Sequence, residues 1–281
     1  MEEARLRCDK DKIPFWKAVQ LEDADERGVT VEDSWSQMTH MWQSMLENLD
    51  AYDPNLVSRS GLVGKEGGLM DAYLQKGDTL CGDFMAKVMA NALKMGCNNA
   101  CMKRIVAAPT AGACGVLPAV LVTYYREYDV PDEKMIEAMY VAAGIGQIIA
   151  NRAYLAGASG GCQAEIGSGS GMAAGAICYI RGGQIGDACA MALKNLMGLV
   201  CDPVGGLVEV PCVKRNVGGA VNALAAADMA LAGITSKIPV DQVIDAMKEV
   251  GDKMDVSLRE TGIGGVAGSP AAMEVVERLD M

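Results

Sequence analysis

Apolar residues recur at three- and four-residue intervals in one segment after another of this 281-residue chain, and nowhere do β-branched and polar residues alternate over four or more positions. The first pattern lays a hydrophobic stripe along a helix, and the lack of the second leaves no candidate strand. The expected fold class is therefore all-α, a single large helical domain. Thr30, with Asp33 three positions on, forms a capping signature ahead of Trp35, Met38, Met41, Trp42, Met45 and Leu49. Asp78 is read as the start of a helix carrying Phe84, Met85, Val88, Met89, Ala92 and Leu93 and closing at Gly96. Another begins near Val116, and Pro131, followed by Asp132 and Glu133, opens one that reaches about Ala150. Further helical segments are expected at 172–180, 187–199, 217–232 and 239–254. Only 5% of residues are aromatic, against 33 glycines and 19 methionines, so neighbouring helices can approach closely and be buried on most sides. Methionines at helical spacing read as core packing.

The 25 basic and 36 acidic residues leave a net charge of -11, which argues against a nucleic-acid surface or an anionic-membrane patch. The charge-free stretch 105–125 is interrupted by Pro109, Pro118 and glycines, and reads as a buried loop plus helix, with no membrane span. Neither a repeat nor a Ser/Pro-rich linker divides the chain, so residues 1–281 are taken as one domain with an acidic N-terminal arm over 1–30. The opening MEEARLRCDKDK has no apolar leader core, so the ten cysteines are expected as reduced thiols in a cytoplasm, either buried or bound to metal.

Four glycine- and proline-rich loops break the helical pattern. They are Ser58-Arg59-Ser60-Gly61-Leu62, the segment Ala108-Pro109-Thr110-Ala111-Gly112-Ala113-Cys114-Gly115, the segment Gly160-Gly161-Cys162-Gln163-Ala164-Glu165, and Cys201-Asp202-Pro203-Val204-Gly205-Gly206 leading to Val210-Pro211-Cys212. Loops on a rigid helical scaffold are where binding groups concentrate. Cys162, Cys201 and Cys212 sit in backbone that need not be helical, so their thiolates and nearby amides can converge on one inorganic centre. Cys178 and Cys189 fall mid-helix, as structural thiols do. Spacing leaves the choice open, because no C-x2-C pair of ferredoxin or zinc-ribbon type occurs; Cys97 and Cys101 come nearest to a clip.

The segments Ile105-Val106-Ala107-Ala108-Pro109-Thr110-Ala111-Gly112, Gly161-Cys162-Gln163-Ala164-Glu165-Ile166-Gly167, Met197-Gly198-Leu199-Val200-Cys201-Asp202-Pro203-Val204 and Glu209-Val210-Pro211-Cys212-Val213-Lys214-Arg215-Asn216 resemble the signature loops of the iron-sulfur-dependent L-serine dehydratases, specifically their α chain. The match runs in order from about Ser58 to Ala267 and includes Leu258-Arg259-Glu260-Thr261. The resemblance implies a [4Fe-4S] cluster held by Cys162, Cys201 and Cys212, with the fourth iron left without a protein thiolate. Such an iron acts as a Lewis acid on the serine hydroxyl, a poor leaving group. A base removes the α-proton, and the aminoacrylate formed tautomerises and hydrolyses to pyruvate and ammonia, a step of amino-acid degradation that can feed gluconeogenesis. A separate β chain is implied as partner, hence a hetero-oligomer. The pyridoxal-phosphate route to the same products needs a phosphate loop beside a βαβ unit, a pattern absent here. Lys214 and Arg215 read instead as a helix start or as charge near the cluster.

With L-serine as the implied substrate, Thr110, Ala111 and Gly112, just ahead of a helix N-terminus, are candidates for its carboxylate. Ser58, Arg59 and Ser60 form a second candidate loop, in which Arg59 can clamp a carboxylate bidentately. Glu165 and Asp202 are expected as helix caps or hydrogen-bond partners. His40, the only histidine, falls within an amphipathic helix and reads as a surface residue, so no catalytic base is named in this chain. The sequence departs from the family pattern at Lys65-Glu66 and at Gly169-Ser170-Gly171. Other readings are a cluster-dependent dehydratase or desulfidase acting on L-threonine or L-cysteine, and a non-catalytic cluster-binding protein. The loops around Ser58 and Thr110, which ligate nothing, argue against the last.

Overall fold

The computed structural model describes residues 1–279, and every regular element among them is helical. The chain begins with α1 (Glu2–Asp11), α2 (Phe15–Arg27), α3 (Val31–Asp50), α4 (Glu66–Leu74) and α5 (Asp83–Ala100). It continues through α6 (Val116–Tyr128), α7 (Asp132–Arg152), the single turn α8 (Gly157–Gly160) and α9 (Ser168–Ile180). It ends with α10 (Ile185–Asn195), α11 (Cys212–Leu231), α12 (Val240–Lys253) and α13 (Pro270–Arg278). The only β pairing among the described residues is an isolated parallel bridge between Cys201 and Arg259. No helix there is long and apolar enough to cross a membrane.

The helix α9 is the axis of the body. From Ser168 to Cys178 every residue is buried, and α6, α7, α10 and α11 pack around it. Its sequence, SGSGMAAGAIC, makes this possible because small side chains let four neighbours approach at once. At Gly175 a β-carbon would run into the Cδ1 of Ile145 on α7, so the glycine gives that isoleucine its room. The Gly169-Ser170-Gly171 departure lies in the same helix, where Ser170 Oγ donates to the Gly219 carbonyl at 2.8 Å and accepts from Asn222 Nδ2 at 2.9 Å. The hydroxyl thus stitches α9 to α11 without leaving a buried polar group unpaired.

Local signals mark several boundaries correctly. Thr30 Oγ1 accepts from the Asp33 amide at 3.0 Å while Asp33 accepts from the Thr30 amide at 3.3 Å, the reciprocal box that starts α3. The charge-free stretch is a loop followed by α6; residues 116–124 are all buried, whereas the loop is only partly so, with Ala107 and Ala111 exposed. Other boundaries moved. Asp78 lies in irregular backbone, and α5 starts at Asp83 after Gly82, which takes a left-handed φ of 77°. Nor does Gly96 end that helix, which runs on to Ala100; a β-carbon at Gly96 would be 3.2 Å from Val213, so this glycine admits α11 rather than stopping α5. The acidic arm carries α1 and α2, and α2 buries Ala18, Val19 and Ala24. The helix expected from Val217 begins five residues earlier, at Cys212 itself.

Candidate metal centre

Three chain segments converge at the N-terminal ends of α9 and α11. Cys162 precedes a π-helical turn, Gln163–Gly167, that runs directly into α9. Such widened turns recur at functional sites because they re-aim side chains without breaking the helix. The side chain of Gln163, fully buried, fixes this turn: its Nε2 donates to the Gly160 and Met247 carbonyls at 2.9 and 3.0 Å, and its Oε1 accepts from the Gly198 amide at 2.9 Å. Its own amide donates to the Leu199 carbonyl at 2.9 Å, which aligns the Cys162 turn with the strand-like approach to Cys201.

Cys201 is held from its other side by the C-terminal segment. Its amide donates to the Leu258 carbonyl at 2.9 Å, and its carbonyl accepts from the Glu260 amide at 2.7 Å. Glu260 takes a left-handed φ of 63°, a conformation that a residue with a β-carbon adopts only where its surroundings enforce it. Cys212 is the first residue of α11, so the partial positive charge of a 20-residue helix points at its thiol.

The Sγ atoms of Cys162 and Cys201 and a carboxylate oxygen of Glu165 lie within 4.8 Å of one another, the one such group of metal-ligating atoms among the described residues. All three cysteines are buried, at 2%, 2% and 8% exposure, so water does not compete for the thiols. Cys212 stands outside that trio but near enough that the charge of Cys162 bears on it. A hydrogen bond from Cys201 and the nearby Arg215 guanidinium hold the Cys162 thiol below its ordinary range, against the effect of burial. Cys201, as donor and buried, is pushed up. Burial, with Cys162 nearby, pushes Cys212 up to about 12. Glu165 is raised by burial, while the Thr110 hydroxyl opposes the shift and Glu260 reinforces it.

Of the expected substrate residues, those of the 110–112 loop lie against Glu165. A β-carbon at Gly112 would lie 3.1 Å from Glu165 Oε2, and the Thr110 hydroxyl rests against the same carboxylate without completing a hydrogen bond of ordinary geometry. Ala111 is exposed in the same loop. The helix N-terminus behind them is already engaged: the Cys114 and Val116 amides bond within the loop, and that of Gly115 donates to Asn216 Oδ1 at 2.8 Å. Asn216 Nδ2 donates in turn to the Gly112 and Cys212 carbonyls at 2.8 and 3.0 Å, so one amide staples the substrate loop to the third cysteine. Neither Asn216 nor Gln163 is assigned a role by sequence, though both stand inside the motifs that carry the family resemblance.

The second loop is bonded to Glu209, three residues before Cys212. Ser58 Oγ donates to Glu209 Oε2 at 2.9 Å, the Ser60 hydroxyl does the same, and Arg59 is exposed. Buried Glu209 in turn caps the start of α11, its carbonyl accepting from the Val213 amide at 3.0 Å. At the other departure, Glu66 pairs with Lys214 at 2.6 Å and accepts from the Gly64 amide at 2.7 Å. His40 is exposed on α3, 3.5 Å from Arg104 Nη2. Cys178 and Cys189 are fully buried mid-helix thiols.

The fold and centre define an all-helical protein that presents buried thiols and a carboxylate at the joined N-terminal ends of two core helices. The serine dehydratase alpha chain family model matches residues 10–267, and the chain belongs to that family. It is 46% identical over 253 residues to the probable L-serine dehydratase, alpha chain, of Bacillus subtilis (strain 168), covering 89% of this chain and 84% of that one. The corresponding protein of Latilactobacillus sakei is 50% identical over 194 residues, 68% of this chain and 93% of its own. The L-serine dehydratase of Streptomyces coelicolor is 44% identical over 63% of this chain, a match that occupies 40% of that longer protein.

Proposed function

We propose that this chain is the catalytic α subunit of an L-serine ammonia-lyase, converting L-serine to pyruvate and ammonia, with a [4Fe-4S] cluster held by Cys162, Cys201 and Cys212. The observation that carries the reading is the approach of two buried thiols and Glu165 to within 4.8 Å, beside a third cysteine that heads α11. The donor set fits the group: thiolates select iron-sulfur clusters, zinc or cuprous copper over hard cations, and two helix N-termini supply positive potential for an anionic centre. Cys212 standing outside the close trio suits a centre of several metal atoms better than a single ion, whose thiolates must all lie about 2.3 Å from one point.

When bound, the cluster supplies a Lewis acid for the departing hydroxyl group. The chain's own residues do the rest of the positioning. The Thr110 hydroxyl and the 110–112 backbone offer donors to the substrate carboxylate. Beside them, the Glu165 carboxylate is the charge complement of the α-ammonium. Gly157 and Gly112, having no β-carbon, let their own segments approach Glu165 closely. Proton removal from the α-carbon falls to a group brought by a β chain, since His40 lies exposed on α3. Support for that partner comes from the alpha-chain names of the relatives and from the longer Streptomyces protein, in which the matched part is 40% of the length. A cytoplasmic setting fits ten free thiols. The test is anaerobic preparation with the β chain, iron and sulfide analysis, and an ammonia-release screen across L-serine, L-threonine and L-cysteine. Iron-free protein, or preference for another substrate, overturns the reading in its respective part.

A further inference from the structure

Arg215, one turn into α11, sends its guanidinium back toward the metal centre. Its Nη1 lies 2.7 Å from Asp202 Oδ1, 2.8 Å from the Val200 carbonyl and 3.5 Å from Cys162 Sγ. The side chain is only 16% exposed and that of Asp202 only 3%, so the charges act through protein rather than water. Asp202 is itself fixed, because its Oδ2 accepts from the Val266 amide at 2.7 Å. A β-carbon at Gly265 would collide with the same carboxylate, so the C-terminal segment can close over it only at a glycine. The guanidinium is thus held by charge against a rigid anion, while the two Nη1 hydrogens go to the Val200 carbonyl and the Cys162 sulfur.

Resting on the three-cysteine cluster reading above, we propose that Arg215 is a positioning residue for the cluster: clamped by Asp202 and the Val200 carbonyl, it holds Cys162 by an N–H to sulfur hydrogen bond and, with Asp202, sets the cluster's reduction potential. Hydrogen bonds to ligand sulfurs and the net charge nearby are the protein's means of setting that potential. Asp202 and Arg215 should then act with opposite sign. Loss of the cation leaves more negative charge at the cluster and disfavours the added electron. Loss of the anion does the reverse while keeping the bond to sulfur.

The test is an anaerobic redox titration, followed by electron paramagnetic resonance, of wild type, Arg215→Met, Arg215→Lys and Asp202→Asn, each checked for folding by circular dichroism and melting. The expected result is a midpoint shifted downward in Arg215→Met, partly restored in Arg215→Lys, and shifted upward in Asp202→Asn. A merely structural pair would move both in the same direction or neither, and that outcome overturns the inference. If Arg215→Met takes up no iron, Asp202→Asn against wild type decides alone, and an unchanged or lowered midpoint there overturns it. Wild type that binds no cluster defeats the cluster reading instead, so the two failures are distinct.

Discussion

Gly157 passes so close to Cys201 that a β-carbon on the glycine would lie 2.7 Å from the cysteine sulfur and 2.9 Å from Glu165 Oε2. The backbone of Cys201 is held on both sides by the C-terminal segment and Glu165 sits in the π turn, so the two side-chain ends must give way and the main chain stays in place. Replacement by alanine should therefore displace a ligand side chain rather than unfold the protein, at a cost of about 1–3 kcal/mol. Gly157→Ala is expected to melt a few degrees lower and to retain clearly less iron after anaerobic desalting. Wild-type iron content in that variant would contradict the crowding.

The cysteines divide into two groups by position. Serine in place of Cys162, Cys201 or Cys212 should remove the cluster, whereas serine at Cys178 or Cys189 should cost stability but leave iron and sulfide at about four each per chain. Colorimetric iron and sulfide analysis checks this. Full cluster content in Cys201→Ser would sink the ligand assignment.

Burial holds the thiols of Cys114 and Cys189 at about 12 in the folded chain. Unfolded, they release their protons near 9, so between pH 9 and 12 the unfolded state binds fewer protons and stability falls as pH rises. One such thiol accounts for about 4 kcal/mol over that interval. Below pH 9 both states are protonated and the effect vanishes. Cys189→Ala should accordingly be no more stable than wild type at pH 7 and should gain on it at pH 11, measured by urea unfolding of the cluster-free protein. A difference that stays the same at the two pH values would count against a buried neutral thiol.

The division of labour between chains gives a kinetic expectation. Isolated α chain should bind iron yet turn over serine roughly 10²- to 10⁴-fold more slowly than with its β partner, the usual worth of a placed acid-base group. The exposed Leu80, Met102 and Ile263, at 98%, 90% and 69%, are apolar groups available to such a partner. His40→Ala should leave the rate of the complex unchanged. Should the isolated chain work at full speed and lose that speed with His40, proton transfer would belong to this chain after all.

Much of the fold is legible in the sequence. The capping box at Thr30 and the run from Val116 are local patterns, and they formed where the spacing put them. Gly96 misled because glycine serves two ends: it stops helices, and it lets helices touch. Only the presence of Val213 against it tells which. The loops carrying Cys162, Cys201 and Cys212 stood out by composition, but Gln163, Asn216 and Arg215 did not. Polar residues inside a motif look alike until their hydrogen-bond partners, which come from distant segments, are known.

The sequence by itself determined the helical class, the small-residue axis of the core and the identity of the loops that carry thiols, because those depend on hydrogen bonding and burial along a few consecutive turns. Tertiary structure alone decided which thiols meet, that Glu165 joins two of them, that Ser58 and Ser60 face Glu209, and that Arg215 turns back on Cys162. The physical reason is range. A helix is specified within itself, whereas a centre built from the ends of α9 and α11 and from a bridge between Cys201 and Arg259 exists only when the packing of whole helices brings those ends together.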